Sequence, residues 1–399
     1  MRPPRARPGP APVALLLGLL LSGAALGAPG EVGGARLEPV AFSDLPGFPG
    51  PDPAGALAAF RRVCAAPAPA PAQRAAVAGD AADLAAACTR AAGVADAAAA
   101  DFFRHAFDAY RIVRPDGRPG FLTGYFEPEL PGSLTPGPGF TTAILARPDD
   151  LVGLAPGETR PGLDPALRAA RATGDGFEAY PDRAAIEDGV LGAQARPVLW
   201  LRDRIDLLVL QVQGSGRIRL PDGRVVRALY DGRNGRPYTA VAKLIVQEGH
   251  LPLEGLTLAR WTGWLRDHPD EARRLIRRNA SYIFFRLAEV EEPALGPPGA
   301  ANAPLRPGIG LAVDATLWRY GLPFWLEGHL PGAGEGERGR LTVAADTGSA
   351  IVGPARGDLF VGSGEAAGVA AGNLRDAVGF VVLLPRQGAR DGARDGATP

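Results

Sequence analysis

Residues Leu341–Gly364 read LTVAADTGSAIVGPARGDLFVGSG, and this stretch decides the fold. Apolar and small residues alternate up to Asp346, as in a half-buried strand, and another short strand begins at Asp358. A third acid, Asp314, ends the earlier apolar run Ile309–Val313. An aspartate alone is more commonly a turn-former than a catalyst. Three of them at the ends of short strands, between glycine-rich turns, predict one site on a small β-barrel.

Three short segments resemble the three-aspartate domain of the membrane-bound lytic murein transglycosylase A family: AVD (312–314), ADTG (345–348) and GDLF (357–360). The resemblance implies a mainly β fold with N-terminal helices. In it, a double-psi β-barrel domain is split by an inserted, smaller β-rich domain, with a groove between the two. It also implies a single catalytic acid, Asp358, with Asp314, Asp346 and Gly348 lining the site.

Further stretches support the resemblance: GFLTGYFEP (120–128), IDLLVLQVQGSG (205–216), YDGRNGRPYTAVAK (230–243) and NASYIFFR (279–286). They place glycan contacts at Thr123, Gly124, Tyr125, Gln211, Gln213, Gly214 and Ser215. The Tyr125 ring can stack on a sugar face, and an ordinary buried aromatic of an edge strand is the alternative. Gln211 and Gln213 share one face if the chain is extended there. Glu127, which precedes Pro128, is expected to be a turn partner.

The order of these patterns predicts five segments: a secretory signal (1–27), an N-terminal helical part with the start of the barrel (28–128), the inserted β-rich domain (129–285), the C-terminal barrel part (286–387) and a disordered tail (388–399). The signal has a basic start and an apolar core too short to anchor in a bilayer. The first cysteine, Cys64, lies far beyond it. We therefore expect a periplasmic protein without a lipid anchor in the outer membrane.

Cys64 and Cys88 are the two cysteines of the chain. In an exported protein an even pair favours a disulfide, and two buried thiols in a helical core are the alternative.

The four histidines show no ligand spacing, so we expect no metal and no other cofactor. Basic and acidic residues number 43 each, which gives no electrostatic footprint for nucleic acid. The expected partners are peptidoglycan glycan strands, with cell-wall synthases or divisome proteins as further candidates, and we expect a monomer.

The resemblance implies a lytic transglycosylase reaction, and one carboxyl group is enough for it. A hydrolase that activates water normally needs two carboxylates. Here the attacking group is the 6-hydroxyl of the muramyl residue, which the substrate itself positions. Asp358 would protonate the β-1,4 glycosidic oxygen between MurNAc and GlcNAc, then accept the proton of that hydroxyl to leave a 1,6-anhydromuramyl end. Arg356 raises a difficulty, because a nearby cation lowers the pKa of an acid that should have a raised one.

Two other classes of function stay open. A non-catalytic, expansin-like glycan-binding module would keep the barrel and the groove without cleaving a bond. The segment ADTGS (345–349) also copies the core of aspartic proteases, which need two such aspartates sharing a proton. The chain contains no second Asp-Thr-Gly or Asp-Ser-Gly, so a protease would have to be a homodimer. Whether a transglycosylase of this kind acts in endo or exo mode is left open.

Overall fold

The computed structural model describes residues 30–67, 78–155, 158–330, 334 and 336–387. The expected signal at 1–27 and the expected tail at 388–399 lie outside these residues. Among the described helices, none combines the length and the apolar character needed to cross a membrane. The described chain is mainly β with helices near its start, as expected from the sequence.

Eighteen strands lie in the described part of the chain: β1 (Glu31–Val32), β2 (Ala35–Val40), β3 (Phe107–Val113), β4 (Gly120–Glu127), β5 (Glu129–Ser133), β6 (Thr142–Leu145), β7 (Leu151–Gly153), β8 (Ala169–Thr173), β9 (Gly176–Ala179), β10 (Pro197–Leu201), β11 (Ser215–Arg219), β12 (Val225–Arg233), β13 (Ile283–Glu289), β14 (Gly310–Val313), β15 (Pro323–Glu327), β16 (Gly339–Asp346), β17 (Arg356–Ser363) and β18 (Arg375–Pro385). The α-helices described with them are α1 (Pro53–Ala65), α2 (Ala81–Ala92), α3 (Ala99–Ala106), α4 (Arg183–Glu187), α5 (Arg204–Gln213), α6 (Val241–Gln247), α7 (Leu258–Asp267), α8 (Pro269–Arg277) and α9 (Glu365–Asn373).

Strands from both ends of the described chain form one sheet. Its order is β1-β2-β3-β18-β15-β16-β14-β17-β4. β18 also pairs with β4, which closes the sheet into a barrel. Two neighbouring pairs are parallel, β14 with β16 and β17 with β4, while β14 and β17 are antiparallel. The strands that end on or carry the three aspartates therefore lie side by side in the barrel wall.

The chain between these barrel strands forms two further sheets. A six-stranded sheet has the order β13-β12-β11-β5-β10-β6, and β7, β8 and β9 form a small antiparallel sheet. Helices α5 to α8 bury a common apolar cluster beside the larger sheet. The hairpin of β11 and β12 turns at Pro221–Gly223, as the alternation of the sequence predicts. We call this unit the inserted domain.

The N-terminal helices pack on one another and on the barrel through aromatic rings, and Phe60 of α1 meets Phe107 of β3 with the ring centroids 5.8 Å apart. Phe60 of α1 meets Phe102 and Phe103 of α3, and the ring centroids lie 5.8 and 6.2 Å apart. A disulfide joins Cys64 at the end of α1 to Cys88 of α2, with their Cα atoms 5.5 Å apart. The N-terminal part of the chain, expected to be helical up to the start of the barrel, also contributes β2 and β3 to the barrel sheet. β2 and β3 are strands there, because they pair with each other and β3 pairs with the distant β18.

Candidate active site

Asp358 lies in β17 between two strands of the barrel. The register places Ala312 of β14 on one side of it and Thr123 of β4 on the other. The Thr123 hydroxyl donates a hydrogen bond of 2.6 Å to Oδ1 of Asp358. The Arg356 guanidinium donates in turn to the Thr123 hydroxyl over 2.7 Å. A chain of two hydrogen bonds thus connects the arginine to the acid and leaves Oδ2 of the acid outside it.

The Arg356 guanidinium is directed towards Thr123 and the backbone. It also donates to the carbonyl of Gly357, and it lies 5.3 Å from the centre of the Phe121 ring. Burial raises the pKa of Asp358 to about 6; the Thr123 hydrogen bond and the Arg356 charge lower it, and the Asp346 charge raises it. Burial therefore outweighs the arginine, and Asp358 titrates where a general acid needs to.

Asp346 ends β16 with both carboxylate oxygens occupied. Oδ2 accepts a 2.7 Å hydrogen bond from the Tyr125 hydroxyl. Oδ1 accepts from the backbone N–H groups of Ala300 and Thr347, each over 2.9 Å. Burial raises the pKa of Asp346, and burial together with the Asp346 charge raises the pKa of Tyr125 well above its usual value. Asp346 is held in place and acts on Asp358 through its charge.

Tyr125 helps to hold Asp346 in position. Its hydroxyl is bound to Asp346, and its ring packs on Phe360 with the centroids 5.4 Å apart. Tyr125 as a whole is half-buried. The structure thus brings together four of the residues expected at the site, namely Thr123, Tyr125, Asp346 and Asp358.

Asp314 holds two loops together. Its Oδ1 accepts from the backbone and hydroxyl of Thr316, at 3.0 and 2.6 Å, and its Oδ2 accepts from the N–H of Gly353 over 2.8 Å. The side chain is buried. This is the turn-forming role that single aspartates commonly have. Gly348 lies exposed in the turn between β16 and β17, where its carbonyl accepts from Ile351.

The structure corrects the extended conformation on which the predicted glycan contact of Gln211 was based. Residues 204–213 form helix α5. Gln211 and Gln213 are two residues apart, so they lie on opposite sides of this helix and do not share one face of a strand. Gln211 is buried, its oxygen accepts from Arg183 over 2.6 Å, and its nitrogen donates to the carbonyl of Ile283 over 3.0 Å. The oxygen and the nitrogen of the amide are therefore both hydrogen-bonded inside the inserted domain.

Gln213 connects the inserted domain to the barrel. Its side-chain oxygen accepts from the backbone N–H of Phe126 over 3.1 Å, and the residue is partly exposed. Gly214 ends α5 with φ +83, and its N–H donates to the carbonyl of Leu210. That left-handed conformation suits glycine and explains its place there. Ser215 is buried at the start of β11.

Gly124 permits a close approach, and the partner is helix α9. A Cβ at this position would lie 2.9 Å from Cα of Ala371 and 3.2 Å from Cβ of Leu374. Any side chain would push α9 away from β4. The close approach at Gly124 is therefore made by α9 and the residue that follows it.

Glu127 is the residue that sequence reasoning missed, because we expected only a turn partner. It is fully buried at the end of β4. Its carboxylate accepts from Arg227 over 2.6 Å, from Arg217 over 2.8 Å and from the Ser363 hydroxyl over 2.7 Å. The sequence around Glu127 gives no signal of this role, because its partners Arg217 and Arg227 lie far along the chain.

One group of three possible metal ligands occurs in the described residues: Glu248, His250 and Glu271. Arg274 and Arg278 already bind Glu248, and the Arg274 hydrogen bond lowers the pKa of Glu248 to about 2. A cation there would compete with two guanidinium groups. We therefore interpret the group as an ion-pair network on the surface of the inserted domain.

Comparison with known families covers both domains. The MltA specific insert domain matches residues 121–286, and the 3D domain matches residues 309–384. Membrane-bound lytic murein transglycosylase A of Vibrio cholerae is 31% identical over 204 residues, which are 49% of this chain and 53% of that protein. The Escherichia coli protein of the same name is 30% identical over 201 residues. The chain thus spans about half the length of the curated relatives it matches.

Solved structures match over nearly their whole length. The membrane-bound lytic murein transglycosylase from Agrobacterium tumefaciens is 35% identical, with a TM-score of 0.77 over 88% of this chain and 98% of that chain. MltA from Neisseria gonorrhoeae is 26% identical, with a TM-score of 0.69 over 90% and 95%. These likenesses confirm the expected fold, a double-psi β-barrel with an inserted domain.

Proposed function

Because the chain belongs to the family of membrane-bound lytic murein transglycosylase A, we propose that it cleaves the β-1,4 bond between MurNAc and GlcNAc in peptidoglycan and leaves 1,6-anhydromuramyl ends. One observation carries the chemistry. Asp358 has a pKa raised to about 6 and is held by the Thr123 hydroxyl. A carboxyl group whose pKa is raised towards neutral pH is what a general acid requires.

The first step is the breaking of the glycosidic bond. Thr123 occupies Oδ1 of Asp358, so the transferable proton resides on Oδ2. That proton passes to the glycosidic oxygen while the bond from C1 of MurNAc to this oxygen breaks. Asp358 becomes a carboxylate, which the hydrogen bond from Thr123 stabilises. The Arg356 guanidinium supports the Thr123 hydroxyl from behind.

The second step closes the new ring. The Asp358 carboxylate accepts the proton of the muramyl 6-hydroxyl, and the 6-oxygen forms a bond to C1. The acid thereby regains the proton that it gave away, and no water is consumed. Asp346 has both oxygens engaged by Tyr125 and backbone N–H groups, which suits an electrostatic role better than activation of water.

The product identifies the reaction. Mass spectrometry of digested sacculi should show muropeptides that are one water lighter than those made by a hydrolase. Reducing muramic acid in the product would mean that water attacks, and Asp346 would then be the first candidate for the base. Sacculi that bind the protein without releasing any glycan would support the non-catalytic, expansin-like function.

The site of action follows from the substrate. Proteins named murein transglycosylases act on murein, so the chain is assigned to the cell envelope. We infer that it works in the periplasm as a monomer on glycan strands. The signal-like pattern at 1–27 supports this inference. Cell fractionation combined with size-exclusion chromatography tests both points, and a cytoplasmic fraction or a stable dimer would contradict them.

A further inference from the structure

The buried acid Glu127 lies where the two domains meet. It ends β4 of the barrel, while Arg217 and Arg227 belong to the hairpin of the inserted domain. All three side chains are buried or nearly so, with exposures of 0%, 12% and 7%. One carboxylate between two guanidinium groups removed from water forms a strong and directional contact. We call Glu127, Arg217, Arg227 and Ser363 the interdomain cluster.

Both chain crossings between the domains pass through the interdomain cluster. The chain leaves the barrel directly after Glu127. On its return it passes Pro293 and Leu295, whose carbonyls accept from Arg217 over 2.7 and 3.0 Å. Arg227 also donates to the carbonyl of Leu295 over 3.0 Å. A rotation of the inserted domain would have to pivot at these two crossings, and the cluster binds both of them.

The interdomain cluster shares its strands with the catalytic pair. Thr123 lies four residues before Glu127 in β4, and Asp358 lies five residues before Ser363 in β17. Ser363 of β17 donates to the Glu127 carboxylate over 2.7 Å, and the two residues face each other in the register. The same pair of strands therefore carries the acid at one position and the interdomain contact at another.

We infer that Glu127 is a positioning residue, which fixes the inserted domain on the barrel and so places Gln213 at a set distance from Asp358. The inference rests on the proposed function only where it concerns the glycan. Its physical basis is the set of contacts to Arg217 and Arg227, which join the domains at the two crossings.

The experiment measures the orientation of the domains directly. Spin labels at Val190→Cys in the inserted domain and Val369→Cys on α9 report their separation, since both positions are exposed. Glu127→Gln keeps the shape of the side chain but removes the charge that holds the two arginines. We expect a broader or shifted distance distribution. Glu129→Gln, the same change in the exposed pair with Arg219, is the control and should leave the distribution unchanged.

Kinetics give the second readout. Glu127→Gln should raise KM for a defined glycan by at least about tenfold, since substrate spanning two domains depends on their alignment. The kcat and the pH dependence of kcat should change little, because Asp358, Thr123 and Arg356 keep their contacts. Unchanged label distances, or a fall in kcat at constant KM, would overturn the inference. Broadened distances in a protein whose wild type releases no glycan would refute the proposed function alone.

A second variant covers the case in which Glu127→Gln does not fold. Arg217→Lys keeps a positive charge beside Glu127 but lacks the second nitrogen that binds the Pro293 and Leu295 carbonyls. It should broaden the label distances relative to those of the wild type. Label distances as narrow as those of the wild type would contradict a role for the cluster in domain orientation.

Discussion

The Thr123 hydroxyl and the Asp358 carboxylate, 235 residues apart in the chain, are joined by a hydrogen bond of 2.6 Å. The parallel pairing of β4 and β17 creates this contact, since it sets the two residues opposite each other. The hydroxyl accepts from Arg356 on its other side. Thr123 therefore determines which oxygen of the acid is held in the barrel wall and which stays outside this hydrogen bond.

Asp358→Asn should lower turnover by at least about 10²-fold, because the amide has no proton to transfer. Glycan affinity should survive, since the amide still forms hydrogen bonds. Turnover on purified sacculi and calorimetric binding of a chito-oligosaccharide measure the two effects. Asp175→Asn, an exposed change in the inserted domain, serves as the control. Full activity of Asp358→Asn would end the assignment of the acid.

Thr123→Val should reduce kcat about tenfold, the scale of one lost hydrogen bond to a charged group. Thr123→Ser keeps the hydroxyl and should retain most of the activity. The comparison separates the hydrogen bond to Asp358 from the packing of β4. A loss in Thr123→Ser with full activity in Thr123→Val would indicate that the methyl group, and not the hydroxyl, is what the site needs.

The activity should depend on pH through Asp358. The reacting form is protonated, so kcat/KM should fall about tenfold per pH unit above the pKa of about 6. The Arg356 charge lowers that pKa. Arg356→Gln should therefore move the alkaline limb to higher pH, while Arg118→Gln on an exposed turn should leave it in place. A limb that moves to lower pH in Arg356→Gln would contradict the assignment.

Asp358→Asn should have opposite effects on turnover, which falls, and on the stability of the folded protein, which rises. The folded-state pKa of Asp358 lies above its usual value, so the folded protein binds more protons than the unfolded chain between about pH 4 and 6, and the carboxylate costs stability above that window. Asp358→Asn should raise the free energy of unfolding at pH 8 by about 1–3 kcal/mol. Denaturant titrations should show this gain shrinking as the pH falls towards 4. A loss of stability at pH 8 would be the contrary result.

The disulfide between Cys64 and Cys88 closes a loop with a sequence separation of 24. In the chain-entropy account, such a loop stabilises the folded state by about 3 kcal/mol. The double variant Cys64→Ala, Cys88→Ala should lose stability of this order in thermal unfolding. Its turnover at low temperature should be unchanged, because α1 and α2 lie outside the acid site. Peptide mapping that finds free thiols in the native protein would contradict the pairing.

The strands of the aspartates could be predicted because their pattern is local. The alternation before Asp346 and the short runs at Asp314 and Asp358 identify β14, β16 and β17 without reference to partners. β3 could not be found in this way. Its sequence follows an alanine-rich helix directly, and its strand form depends on pairing with β18 at the far end of the chain.

Some residues of the candidate site could likewise be predicted from the sequence, and others could not. Family resemblance identified Thr123, Tyr125, Asp346 and Asp358, which the structure brings together. Gln211 and Glu127 were misjudged because burial depends on what packs against a residue. The arginine partners of Glu127 lie 90 and 100 residues further along, so the sequence around Glu127 carries no trace of them.

Barrel closure by β18 has a consequence for the order of folding. β18 pairs with β3, β4 and β15, and two of these strands are made far earlier in synthesis. Contacts of such long sequence separation form slowly, because the intervening chain must first be brought together. A nascent chain that stops before residue 356 holds Thr123 but no acid to bind it. The proposed acid site is therefore absent from every nascent chain that stops before Asp358, and it is complete only when synthesis has passed the final barrel strand, β18.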